Sequence, residues 1–176
     1  MNRKPSRQIK KQTLIKYIAQ AIKLGALEAR LVSTASVVTG QWVRMKCQYG
    51  CDGYGQCLTC PPYASAPETT AKMLKEYRRA ILIHGNDHTD ISAVAVKLER
   101  MIFLDGYYKA FAFGAGPCRL CSECNLKACT HAYEARPSME ASGIDVYQTA
   151  HNNGYPIKVV TDQSCRQNYY SLVLIE

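Results

Sequence analysis

The fold is decided by the stretch Ala80-Ile-Leu-Ile-His84, which Gly85-Asn86 closes, and by the apolar pattern that begins after Asp90. A short continuous apolar run bounded by turn residues is typical of a buried strand. After Asp90, which is placed to cap a helix, apolar residues recur every three or four positions. They are Ile91, Val94, Ala95, Leu98, Met101 and Ile102. This pair of elements predicts a sheet with a helix packed on it.

The segments around this pair alternate between strand and helix patterns. Further strands are predicted at residues 29–38, 109–113, 156–160 and 169–175. Helices are predicted at residues 6–24, 66–77, 138–141 and 145–152. Such alternation predicts an α/β or α+β fold, in which a single domain holds a mixed sheet flanked by helices, with two cysteine-rich loops.

The N-terminal segment is basic, and residues 1–25 are predicted as a basic helix preceding an α/β domain at residues 26–176. Every charged residue before Glu28 is a cation. The apolar positions at helical spacing are Ile9, Ile15, Ile18, Ala19 and Ile22. We interpret the cations as a solvated helix face, and we do not expect a nucleic-acid partner, because no base-reading or stacking motif lies beside them.

The composition limits the class of protein. A chain of 176 residues with 47% apolar residues buries a core without needing cross-links. We find no apolar run of the roughly 20 residues that span a bilayer, and the N-terminus is charged, so we expect a cytoplasmic protein without a membrane partner. Thiols stay reduced in that compartment, so the nine cysteines favour metal over disulfides. Phosphate-loop, dinucleotide, zinc-protease and serine-hydrolase motifs are absent from the sequence.

The sharper of two cysteine groups is Cys118-x2-Cys121-x2-Cys124-x4-Cys129, which we name the second cysteine loop. Three thiolates at intervals of three residues are typical of a loop wrapped around an iron–sulfur cube, [4Fe-4S] above all. Upstream, Gly114 and Gly116 are candidates for a backbone that approaches the cofactor and donates N–H groups to sulfur, or for an ordinary turn.

The first cysteine loop is Cys47-x3-Cys51-x5-Cys57-x2-Cys60, followed by Pro61-Pro62. Its glycines permit the irregular backbone of a chain folded around metal, and its prolines prevent a helix from running through it. Either Cys129 or Cys60 is a candidate to complete the cluster of the second loop. The count of one or two clusters stays open.

Zinc is the competing metal. Cys57 and Cys60 with Cys121 and Cys124 would make a tetrahedral four-thiolate site, and His131 would serve a three-cysteine variant. We favour iron–sulfur, because Cys118 has no role in a simple zinc ribbon. Two cubes with eight thiolates would lower the formal charge of +8 to roughly +4, which suits docking to an acidic redox partner. Cys165 lies apart and is interpreted as a free thiol.

Several motifs, in this order, resemble the predicted metal-binding proteins of domain-of-unknown-function family 2284. They are Trp42-Val-Arg-Met-Lys-Cys47, Cys51-Asp-Gly-Tyr54-Gly55, Cys60-Pro-Pro-Tyr63, Gly116-Pro-Cys118-Arg-Leu-Cys121, Ala135-Arg-Pro-Ser-Met-Glu-Ala141 and Gly143-Ile-Asp-Val146. The resemblance covers about residues 40–176. It implies these ligands: Cys47, Cys51, Cys60, Cys118, Cys121, Cys124 and Cys129.

The resemblance leaves the role of Cys57 open, and with it the function. If Cys47, Cys51 and Cys60 alone serve the first site, one iron is open to substrate, whereas full ligation favours electron transfer. The leading hypothesis is an iron–sulfur protein that transfers electrons or assists a metallo-enzyme. The alternatives are a zinc-stabilised binding module with a basic surface and an enzyme that uses the open iron. Arg136 is a candidate partner for an anion near the cluster, or part of a helix start capped by Ser138.

Overall fold

The computed structural model describes residues 7–155, 157–162 and 164–176, with side chains from residue 14 onward. The elements are α1 (Arg7–Lys23), β1 (Glu28–Ser33), α2 (Gln41–Gly50), α3 (Pro67–Leu74), β2 (Arg79–Gly85), α4 (Ile91–Leu104), β3 (Phe111–Phe113), α5 (Val146–Asn152) and β4 (Tyr169–Leu174). A short 3-10 helix, Thr34–Ser36, follows β1. Among the described helices, none combines the length and apolar character needed to cross a bilayer.

The four strands form one sheet in the order β1-β2-β4-β3. Each neighbouring pair is antiparallel. The single-domain α+β prediction is confirmed, with the correction that the sheet is antiparallel throughout the described chain rather than mixed. Strands β2 and β3, which α4 connects, do run in the same direction, but β4 lies between them and pairs with both. Alternation along the chain could not reveal this insertion, because β4 comes from the far end of the sequence.

Each face of the sheet has its own core, because strand side chains alternate between faces. Helices α1 and α4 cover the face that carries Ile81 and Ile83. The opposite face carries Leu82 and Leu172 and packs against Met139 and α5. The second core places the segment around residue 140 directly below the sheet.

Helix α1 joins the first core through Leu14, Tyr17 and Ala21. The apolar positions predicted for its buried face are therefore partly wrong, since Ile15 and Ile22 are 46% and 44% exposed. Tyr17 fixes the rotation of the helix, because its hydroxyl donates to the Asp105 carboxylate at 2.8 Å. Residues 1–6 of the predicted helix, and the side chain of Ile9, lie outside the described part of the chain.

Two predicted elements are absent from the described residues. Residues 157–160 form no strand, and Pro156 lies outside the description. Residues 139–143 form turns rather than a helix. Ser138 does cap this segment, because its hydroxyl accepts the Ala141 N–H at 3.0 Å. The chain turns away at Gly143, where φ is +76°.

Candidate metal centre

The first cysteine loop begins on a helix that the sequence did not predict. Helix α2 carries Cys47 in its last turn, and Cys51 follows directly at its C-terminal cap. Arg44 holds this helix against the chain beyond the loop, because its Nη2 donates to the carbonyls of Ala64 and Ser65 at 3.3 and 2.6 Å. Both ends of the loop are thereby fixed relative to each other.

Between Cys51 and Ala64 the chain runs through successive turns. Gly55, at φ +74°, donates its N–H to the Pro61 carbonyl at 2.8 Å and closes the loop. The Cys60 N–H donates to the Cys57 carbonyl at 2.9 Å. Both of these cysteines are buried, at 9% and 8% exposure. The loop therefore has the irregular, non-helical backbone that its glycines and prolines predicted, but only after Cys51. Cys47 still lies in helix α2.

The second cysteine loop leaves the sheet at the end of β3. At its base, the Gly114 N–H donates to the Pro137 carbonyl at 2.9 Å, and the Met139 N–H donates to the Gly114 carbonyl at 3.0 Å. The Gly114 N–H is therefore already engaged, so the structure does not show the predicted donation to a cofactor sulfur. Gly116 adopts φ +65°, a turn conformation that favours glycine.

An ion pair beside β3 fixes the returning end of this loop. Arg136 binds Glu99 of α4 through two hydrogen bonds of 2.7 Å each. The same carboxylate accepts the Ala112 N–H of β3 at 2.8 Å. Arg136 thus serves the scaffold in this structure, and its guanidinium does not face a free anion as one sequence hypothesis had it.

The two loops meet around one cavity. It is small, opens to solvent, and is lined by Cys57, Leu58, Thr59, Cys118, Leu120, Cys121, Cys124, Cys129, His131 and Ala135. The Leu58 N–H donates to the Cys124 sulfur at 3.5 Å. Cys118 and Cys124 both lower the pKa of the Cys57 thiol, so these thiols lie near one another. Cys57 therefore joins the cysteines of the second loop, and we name this group of five thiols the cavity site.

The thiols of the cavity site influence one another. Burial raises the pKa of Cys57, but hydrogen bonds from Thr59, Cys124 and Cys118 outweigh burial and lower it overall. Burial also raises the pKa of Cys118, and the charge of Cys57 adds to this. Hydrogen bonding from the Leu58 N–H lowers the pKa of Cys124, yet desolvation and Cys57 together leave it raised. Thiolates that repel one another in this way are stabilised by a shared cation.

The remaining three cysteines of the first loop, which influence one another's pKa values, are named here the three-thiol site: Cys47, Cys51 and Cys60. Burial raises the pKa of Cys60 to about 11, with further increases from Cys57, Cys51 and Cys47. Burial likewise raises the pKa of Cys47, followed by the charge of Cys51. Thiols of both groups raise the pKa of Cys60, so the two sites are neighbours.

The donor sets fit a metal group better than any covalent pairing. All nine cysteines, each of which lies in the described chain, are free thiols. Among the described residues, no three His, Cys, Asp or Glu side chains converge on a point as the ligands of a single ion do. The five thiols of the cavity site line a space, and thiolates are the ligands of iron–sulfur clusters and of zinc.

Two residues complete the description of the predicted candidates. Cys165 lies in neither group, and hydrogen bonds from Thr161 lower its pKa. Its interpretation as a free thiol agrees with this position. Glu140 was missed by the sequence analysis, although its backbone carbonyl lies 4.0 Å from the Cys47 sulfur. Glu140 lies within the Ala135–Ala141 motif, and this motif was the sequence signal that could have identified it.

The fold and the two loops define a cysteine-rich α+β protein whose thiols are gathered but unpaired. The chain belongs to the DUF2284 family, described as a predicted metal-binding protein, whose pattern matches residues 30–175. Comparisons with curated proteins and with solved structures gave no match. The family resemblance seen in the motifs is thus confirmed.

Proposed function

We propose that the chain binds iron–sulfur clusters of the [4Fe-4S] type at its two adjacent thiol groups and uses them to transfer electrons, as a redox accessory to a metallo-enzyme. The observation that carries this proposal is the cavity site, where Cys57 of the first loop joins the cysteines of the second loop around one space. Five thiols line that space, which is one more than a cube requires.

A cluster suits this arrangement better than zinc does. A structural zinc ion needs four donors that converge at about 2.0 to 2.3 Å from one point. The described residues offer no convergent group of that kind. A cube has an iron at each of four corners, so its ligands lie farther apart and surround a space. Zinc, held by four thiols or by three thiols and His131, is the alternative for the cavity site.

The proximity of the two groups supports the proposal of electron transfer. Cys60 of the three-thiol site feels the charge of Cys57 in the cavity site, so clusters held there would be neighbours. The cavity opens to solvent, so a redox partner would have access to a cluster bound there. The formal charge of +8 favours a partner with an acidic surface, and unpaired thiols favour the reducing cytosol.

A second candidate function rests on the three-thiol site. Three cysteines ligate only three corners of a cube, so the fourth iron would accept a substrate or another ligand. On this alternative the chain is an enzyme that uses that iron as a Lewis acid or redox centre.

The cavity site provides the test. A triple variant with serine at Cys118, Cys121 and Cys124 keeps only two thiols at the cavity site, too few for a cube. Prepared anaerobically with iron and sulfide, it should lose about half of its iron, because the three-thiol site keeps its own ligands. Cys165→Ser is the matched control, since that cysteine lies in neither group, and it should retain all the iron. Full iron retention by the triple variant would contradict a cluster at the cavity site.

A further inference from the structure

Helix α2 contacts the rest of the described chain along one side only. Of its ten residues, Val43 alone is buried. Arg44 donates to the Ala64 and Ser65 carbonyls, and the Cys47 sulfur lies 4.0 Å from the Glu140 carbonyl. Positions 43, 44 and 47 share one side of an α-helix, because residues three and four apart are neighbours on its surface. The other side of α2 is left to solvent.

That other side carries large apolar side chains. Trp42, Met45 and Tyr49 follow one another at intervals of three and four residues, and they are 52%, 51% and 75% exposed. Lys46, which is also exposed, lies among them. We name these four residues the α2 stripe. Neighbouring apolar side chains that remain exposed beside polar residues mark an interaction surface.

The Trp42 side chain is held in place on this surface. A Cβ atom added at Gly40, the residue before the helix, would lie 2.8 Å from Trp42 Nε1, so the indole ring lies against Gly40. A side chain that is already ordered in the free protein loses little conformational entropy when a partner binds. Trp42 therefore has the properties of an interface anchor.

The chemistry of the α2 stripe fits an acidic protein surface. Trp, Tyr and Met are enriched at protein–protein interfaces, and Trp and Tyr carry much of their binding energy. The charged residues of α2, Arg44 and Lys46, are both cations, and the chain has a formal charge of +8. A negative partner surface complements this charge. A bilayer fits less well, because helices that lie on membranes combine a wide apolar face with many cations, whereas the stripe has one.

We propose that the α2 stripe is the docking site of the acidic redox partner. This inference rests on the proposed function and names the surface that the partner contacts. Cys47 lies in the last turn of the same helix, on the opposite side. A partner on the stripe would therefore be separated from a cluster bound to Cys47 by one helix diameter, about 10 to 12 Å. The small area of the stripe suits electron-transfer complexes, whose interfaces are among the smallest.

The experiment follows electron transfer by stopped flow, at low and high salt, with an oxidised acidic c-type cytochrome as the probe. The chain is loaded with iron and sulfide and reduced with dithionite, and the excess is removed. One electron then passes from a [4Fe-4S] cluster, which is oxidised, to the ferric haem, which becomes ferrous. The chains compared are wild type, Trp42→Ala, Lys46→Glu and Tyr108→Ala. Tyr108 is the matched control, since it is 77% exposed and precedes β3, whereas the second cysteine loop follows that strand.

At low salt the second-order rate constant should fall about tenfold for Trp42→Ala, which removes the anchor, and for Lys46→Glu, which reverses the charge. It should not change for Tyr108→Ala. High salt should slow wild type and reduce its difference from Lys46→Glu, because the charges are screened. Dithionite should reduce all four chains to the same extent, which separates docking from loss of clusters. Lys46→Glu changes an exposed side chain only, so it decides the question if Trp42→Ala does not fold.

The inference is overturned if either folded stripe variant transfers electrons at the wild-type rate, or if Tyr108→Ala is slowed equally. Trp42 is the only tryptophan of the chain, so its emission reports on the stripe directly. A blue shift of this emission on adding anionic phospholipid vesicles would assign the stripe to a membrane, and a blue shift on concentrating the chain alone would assign it to a second copy. Either result would also overturn the inference. If wild type takes up no iron and sulfide, the proposed function itself fails, and the docking inference fails with it.

Discussion

Replacing Arg136 by Met removes the cation that holds the returning end of the second cysteine loop. The Arg136 and Glu99 side chains are 17% and 12% exposed, and two bonds of 2.7 Å join them. The substitution keeps an apolar side chain of similar length but leaves the Glu99 carboxylate without its cation. That carboxylate also accepts the Ala112 N–H. The cost is therefore the cost of a buried charge without its partner.

Breaking a fully buried ion pair costs about 3 to 5 kcal/mol, and partial exposure of both groups reduces this to roughly 2 to 4 kcal/mol. For a domain of this size, 1 kcal/mol corresponds to about 2 to 4 °C, so the melting temperature should fall by roughly 4 to 16 °C. The double variant Glu99→Gln with Arg136→Met should be more stable than Arg136→Met alone, because it also removes the unpaired charge of Glu99.

The assay is urea unfolding of the three chains, followed by circular dichroism, with the cluster reduction potential measured on the loaded proteins. We expect a large loss of stability and a small change in potential for Arg136→Met. A loss below about 0.5 kcal/mol, typical of exposed pairs, would refute the structural role. A large change in potential with normal stability would restore the sequence hypothesis that Arg136 faces an anion near the cluster.

Two further predictions concern the scaffold. Hydrogen bonds from Lys16 and Tyr17 lower the pKa of Asp105, so its ionised form stabilises the fold, and this contribution is lost as pH falls below about 4. Asp105→Asn should therefore be slightly less stable than wild type in urea at pH 7, with a difference that shrinks on acidification, and a difference independent of pH would contradict the assignment. Gly143 combines φ +76° with close packing on Pro67, whereas Gly25 has φ +111° and open space. Gly25→Ala should cost about 1 kcal/mol and Gly143→Ala clearly more in the same assay, and equal costs would show that the contact with Pro67 is unimportant.

The fold was largely predictable where the sequence carries periodicity. The run at residues 80–84 is buried in β2, and α4 begins after Asp90, whose side chain accepts the Ala93 N–H. Strand order was not predictable, because β4 inserts between β2 and β3 from the other end of the chain. Helix α2 was missed, since its sequence lacks a capping side chain and its cysteines suggested a loop.

The residue types at the candidate site were predictable from the sequence. The division of the cysteines between two groups was only partly predictable. Spacing identified Cys118, Cys121 and Cys124 as neighbours, and the structure gathers them at one cavity. Spacing placed Cys57 with the first loop, but the turns between Gly55 and Pro61 carry it to the other group. Glu140 could not be assigned from spacing. It follows the second cysteine loop, whereas Cys47, whose sulfur contacts the Glu140 backbone carbonyl, belongs to the first loop.

The central claim is that these thiols hold iron and inorganic sulfide, and elemental analysis of anaerobically purified chain, combined with paramagnetic resonance, tests it most directly. The account predicts a brown protein with iron and acid-labile sulfide in equal amounts, about eight of each per chain, and a paramagnetic signal after dithionite reduction. A colourless protein that contains stoichiometric zinc and no sulfide would contradict it.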